Sequence, residues 1–165
     1  GVRGATVYTV SERASDGHAA RLAEKENKAD EKAGLEQPAD TAQISDILYD
    51  LTRRETRAFS HVFAGSLIRE WGKFGELNKN PHRSGRFHVL KAPDVPSVLL
   101  ELGYLSSKQD SVLLSTPEWR EKATTRVTEA IDRFFKSRKG QGLAVGGIPA
   151  ARLVNTASDK PNDQQ

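Results

Sequence analysis

Apolar residues gather in a few segments of this chain, and the spacing within each one predicts an element. Ala5-Thr6-Val7-Tyr8-Thr9-Val10 is β-branched and aromatic, which favours a strand. Ser15 or Asp16 is placed to cap a helix that follows. Gly17 to Lys32 is rich in Ala, Glu and Lys, all good helix formers, but its apolar set is thin: Ala19, Leu22, Ala23, Ala29 and Ala33. So polar a helix cannot bury a wide face; it is expected on a surface, mobile, or in a polar cleft. Gly34 predicts its stop, and Gln37-Pro38-Ala39-Asp40 reads as a linker.

Ile44, Ile47, Leu48 and Leu51 form a short apolar face at helical spacing. A stronger helix follows, with Phe59, Val62, Phe63, Leu67, Trp71 and Phe74 at i, i+3, i+4 intervals. Asn78 to Arg86 is polar and contains Pro81 and Gly85, so a loop is expected. Phe87-His88-Val89-Leu90 predicts a short strand, and two prolines stiffen Ala92 to Pro96. Ser97 to Leu105 begins as the continuous apolar run of a strand covered on both faces. Asp110 to Leu114 predicts a short helix. Pro117 suits the first turn of a last helix whose buried face is Trp119, Ala123, Val127, Ala130, Ile131, Phe134 and Phe135. Strands among long helices predict an α/β fold. Residues 138–165, broken by glycines and ending in a polar run, are expected to be a disordered tail.

Composition narrows the chemistry. The 165 residues fit one domain, and no apolar run is long enough to cross a membrane as a helix. There is no Cys, which excludes a disulfide framework, a thiolate nucleophile and Cys-based zinc sites. The 25 basic and 22 acidic residues leave a formal charge of +3 and alternate in sign along the chain. A nucleic-acid binder would show a clustered basic face, so that class is disfavoured. The chain has no Met and opens on Gly1 directly before a strand, with no signal peptide in view, so a cut through a larger protein is expected.

Glu101 closes the apolar run that begins after Ser97. The carboxyl end of a strand is where open α/β sheets bind ligands, so Glu101 is a candidate general acid or base. The other reading is an acid that emerges at the rim or pairs with Lys or Arg. The four histidines, His18, His61, His82 and His88, form no HExxH or other close ligand pair. His82 and His88 flank the polar loop and could converge; ordinary surface positions are the better expectation, and His18 is expected to face solvent. Glu24, Glu26, Asp30 and Glu31 read as a solvated helical face balanced by lysines. No GxSxG, GxGxxG or GxxxxGK[ST] occurs.

The segment Lys91-Ala92-Pro93-Asp94-Val95-Pro96-Ser97-Val98-Leu99-Leu100-Glu101-Leu102-Gly103-Tyr104-Leu105-Ser106 closely resembles the zinc-dependent N-acetylmuramoyl-L-alanine amidases of the AmiA, AmiB and AmiC type. Gly4 to Tyr8, Ala20 to Asp30 with its Glu26-Asn27-Lys28-Ala29-Asp30 end, Ser45 to Leu51 and Lys79 to Arg83 agree with it, so the likeness covers about residues 1–136. It implies an α/β fold with a mixed central sheet flanked by helices, of the phosphorylase/hydrolase-like kind, here without its N-terminal strands and with an unpaired sheet edge. Residues 1–137 would be the C-terminal portion of the catalytic domain, with 17–45 a regulatory plug helix and linker. The implied activity is hydrolysis of the amide between N-acetylmuramic acid and L-alanine in peptidoglycan, using Zn2+ held by His, Glu and His. Glu101 matches the catalytic glutamate. Glu26 matches a glutamate on the plug helix that completes the zinc coordination and inhibits the enzyme. The implied setting is the periplasm or cell envelope during daughter-cell separation, with a LytM-domain activator as partner. The family's zinc motifs, a His-Gly-Gly turn and a Ser-x-His-Ala-Asp strand end, do not occur in these residues, so the segment alone is expected to be inactive. The competing reading is a non-catalytic wall-binding or interaction fragment.

Overall fold

Every strand contact passes through one strand. The computed structural model describes residues 2–34 and 47–140. The elements are β1 (Ala5–Val10), α1 (Gly17–Lys32), α2 (Ile47–Trp71), β2 (Leu77–Gly85), a 3₁₀ turn (His88–Leu90), β3 (Leu99–Glu101), α3 (Lys108–Ser115) and α4 (Pro117–Gly140). The three strands lie in the order β2-β1-β3. β1 runs parallel to β2 and antiparallel to β3, so the sheet is mixed. Among the described residues no further strand covers the outer edges of β2 and β3.

Alternation along β1 sends successive side chains to opposite faces. Ala5 and Val7 face α2 and α4, where Ala64, Leu67, Trp71, Ala123 and Ala130 are buried. Tyr8 and Val10 face the other way, against Ala19 and Ala23 of α1 and Phe87 and Leu90 around the 3₁₀ turn. Gly4, just before β1, has φ +80°, and a Cβ there would lie 2.7 Å from the Leu77 carbonyl carbon. Only glycine lets the two backbones meet so closely.

Several expectations change. The polar run at 78–86 is largely strand rather than loop. Its register jumps between Ala5↔Leu77 and Val7↔His82, so the residues around Pro81 bulge out of the ladder. A sheet edge is where a strand tolerates proline and polar residues. Phe87 to Leu90 is a 3₁₀ turn rather than a strand: Phe87 and Leu90, three residues apart, are both buried while Val89 is exposed. The two apolar segments 44–51 and 59–74 meet in one 25-residue helix; Ile44 and the expected linker lie outside the described residues. Val62, Ile131 and Phe135 are exposed, while the small residues Ala64 and Ala130 pack against Val7 of β1. The strand expected to begin at Ser97 covers Leu99–Glu101 and is only partly buried. α4 runs to Gly140, and the rest of the expected tail lies outside the described residues.

Candidate active site

Glu101 is the last residue of β3 and pairs across the ladder with Thr6. That register puts its side chain on the Thr6–Tyr8–Val10 face, the one α1 covers. The Tyr8 hydroxyl donates to Glu101 Oε2 at 3.1 Å. The Tyr104 hydroxyl lies 3.0 Å from Thr6 Oγ1 and 3.5 Å from the Tyr8 hydroxyl. Burial pushes the Tyr8 phenol far above its usual range, with the Tyr104 contact and the Glu101 charge adding to the effect. Tyr104 is raised for the same first cause. Both phenols therefore stay protonated near neutrality and can donate.

The turn after β3 is set by Asp110 in the first turn of α3. Its Oδ2 accepts from the backbone N–H of Gly4 at 2.9 Å and of Tyr104 at 3.0 Å. Gly103 packs against the same carboxylate, where an added Cβ would sit 3.1 Å from Asp110.

Helix α1 roofs the site by a thin apolar contact and several polar ones. Asp16 caps it, accepting from the N–H of His18 and Ala19 at 2.9 Å each. Arg83 of β2 binds the other Asp16 oxygen at 2.6 Å. The Ala19 amide, then the Arg83 charge, hold this carboxyl below its ordinary value. Near the other end Asn27 donates to Arg86 O at 2.8 Å and accepts from His88 N at 2.9 Å. Only Ala19 and Ala23 are fully buried on α1. Glu26 is half-buried, three residues past Ala23 and so on the same side of the helix. His18 is not the solvent-facing residue expected of it: its ring stands edge-on to Tyr104, centroids 6.1 Å apart.

The histidines meet in an unexpected pair. His82 lies on β2 beside His61 of α2, ring centroids 5.2 Å apart, and its Nε2 is 3.2 Å from Thr9 Oγ1. Although the residue has an exposed edge, burial of the ring and then the neighbouring His61 push His82 below its ordinary value. His88 does not join it. Among the described residues no three His, Asp or Glu side chains come together as a metal cage. The histidine pair has no third donor, so the described residues do not fit a zinc ion. On the opposite side of the sheet, a groove between α2 and α4 is lined by Glu70, Lys73, Arg126, Glu129 and Arg133; its charges close on one another as Lys73–Glu70, Arg133–Glu70 and Arg126–Glu129 pairs.

The described residues thus form a mixed α/β sheet with a carboxylate at a strand end beneath a polar helix. The profile of the N-acetylmuramoyl-L-alanine amidase family matches residues 1–133, and the chain belongs to that family. It is 32% identical over 133 residues to N-acetylmuramoyl-L-alanine amidase AmiA of Escherichia coli (strain K12), covering 80% of this chain and 46% of that protein. It is 26% identical over 136 residues to AmiC of Neisseria meningitidis serogroup B, covering 82% of this chain and 32% of the relative. The solved apo form of the N-acetylmuramyl-L-alanine amidase Ami1 from Mycobacterium abscessus aligns with a TM-score of 0.43 at 17% identity, covering 82% of this chain and 49% of that one. The chain spans less than half the length of these curated relatives.

Proposed function

We propose that residues 1–137 are the C-terminal portion of the catalytic domain of a peptidoglycan amidase, with Glu101 as its acid–base residue. One observation carries the reading. In a chain of the amidase family, an acid stands at the end of a sheet strand with a phenol fixing one of its oxygens. Glu101 would take a proton from water as the water oxygen bonds the amide carbonyl carbon. It would return that proton to the L-alanine nitrogen as the C–N bond breaks. In the family this resembles, zinc supplies the charge that polarises such a water. Its His, Glu and His donors would belong to the part of the relatives outside this match. The substrate implies action in the periplasm or cell envelope, at daughter-cell separation.

Helix α1, with residues 17–45 as plug and linker, would be the inhibitory element, and Glu26 its metal-directed group. The support is positional: α1 covers the Glu101 face while burying little apolar surface. An element held this way can leave when an activator binds the open state better, and a LytM-domain protein is the partner proposed.

The test is dye release from purified peptidoglycan, with zinc content, on the full-length protein and its variants. Glu101→Gln is expected to lower turnover roughly a thousandfold while sparing zinc; near-normal turnover would remove Glu101 from this role. Glu26→Ala is expected to raise activity measured without activator, and an unchanged basal rate counts against the plug. The lack of a metal cage among the described residues favours one other reading, a wall-binding module. It becomes the leading one if the full-length protein takes up no zinc yet sediments with peptidoglycan.

A further inference from the structure

We infer that Tyr8 and Tyr104 are positioning residues that fix the orientation of the Glu101 carboxylate through a chain of hydroxyl groups. The inference rests on the acid–base reading of Glu101. The chain runs from Thr6 Oγ1 to the Tyr104 hydroxyl at 3.0 Å, on to the Tyr8 hydroxyl at 3.5 Å, and from Tyr8 to Glu101 Oε2 at 3.1 Å. A carboxylate only accepts, so the last donor is Tyr8. One oxygen of Glu101 is thereby engaged and the other is left for chemistry.

The members of this chain have little freedom. Tyr8 is 0% exposed, and Phe87 stands edge-on to its ring, centroids 5.4 Å apart. Tyr104 is held at its backbone by Asp110, which also grips Gly4 at the head of β1. The two strands that carry Tyr8 and Glu101 are thus pinned at the same turn. The hydroxyl chain also ends on Thr6, which is 0% exposed.

Each phenol can be changed by one oxygen with its ring kept, so the fold should survive. In the full-length enzyme Tyr8→Phe is expected to lower kcat roughly tenfold with KM nearly unchanged, as a loosened catalytic group would. Tyr104→Phe is expected to cost less, and less again once Tyr8 is Phe, because most of its effect passes through Tyr8. A Tyr8→Phe enzyme with wild-type kcat, or fully additive losses, overturns the inference while leaving the amidase reading intact. A second measurement does not need turnover. Burial first, and the neighbouring Glu101 after it, raise the Tyr104 phenol, so Glu101→Gln should move its ionisation, followed by ultraviolet absorbance and assigned with Tyr104→Phe, to lower pH. An unmoved titration overturns the inference. A moved titration in a protein that never cleaves peptidoglycan keeps the contact and overturns the acid–base role alone.

Discussion

At the scale of single residues, Asp110 holds more of the site together than any group that would touch substrate. It is 5% exposed and satisfies two backbone N–H groups from distant segments, Gly4 and Tyr104. Removing the carboxylate strands both donors. Asp110→Ala is expected to lower the unfolding free energy by about 3 kcal/mol, while Asp110→Asn, which keeps an acceptor, should lose less; urea titration checks both. His82 gives a prediction of opposite chemistry. Its folded value lies below the ordinary one, so the unfolded chain binds the proton more readily. The associated stability is present above the unfolded value, near pH 6.5, and is lost as pH falls through the folded value. His82→Asn should flatten that part of the stability–pH curve, read by thermal unfolding across mildly acid pH.

At the scale of elements, α1 is the piece most easily detached. Its fully buried apolar residues are two alanines, with Leu22 partly buried beside them, while Asp16–Arg83 and the paired Asn27 bonds supply fixed polar contacts. Asn27→Ala should cost about 1 kcal/mol, and should speed amide exchange in α1 while leaving α2 and α4 unchanged. Equal protection of all three helices would mean α1 opens only with the whole fold. Much of this layer is legible in sequence. The capping Asp16, the thin apolar set of α1, Gly34, Pro117 and the acid ending β3 all follow from local rules of helix and strand chemistry. What local rules miss is tertiary. β2 looks like loop because its polar residues and Pro81 are tolerated only by a sheet edge and a bulge. Phe87 and Leu90 look like strand because a run of four cannot reveal a spacing of three. The Glu101 position is readable, but its partners Thr6, Tyr8 and Tyr104 are not, since strand register decides which face they share. Nor does any motif pair His61 with His82; a helix packed on a strand does that.

At the scale of the whole molecule, ion pairs join segments far apart in the chain. Glu12, just beyond β1, receives Arg57 at 2.7 Å and Arg53 at 3.2 Å from α2. The Arg57 bond leads in holding this carboxyl below its ordinary value. Lys73, then Arg133, do the same for Glu70 between α2 and α4. With Asp16, these groups have folded values below their unfolded ones. Their stabilisation is complete above the ordinary carboxylate range and disappears as pH falls through the lowered values. Acid unfolding is therefore expected below about pH 4, and the exposed Glu12 share should shrink in high salt. Circular dichroism followed from pH 7 to 2, with and without salt, checks both.

The central place of β1 also sets a timetable. Its antiparallel contact reaches Glu101, 93 residues further along from Tyr8, and its parallel partner is more than seventy residues away, as in the 73 between Thr9 and His82. A ribosome adding about 5–20 residues per second leaves β1 without either neighbour for roughly 4–15 seconds. Tyr8, whose burial defines the site, thus waits as an exposed aromatic while the seventy-odd residues up to β2 are made. Within these residues the oldest strand is the last to be enclosed, and cells short of chaperones should lose this protein to aggregation before its chemistry can be assayed.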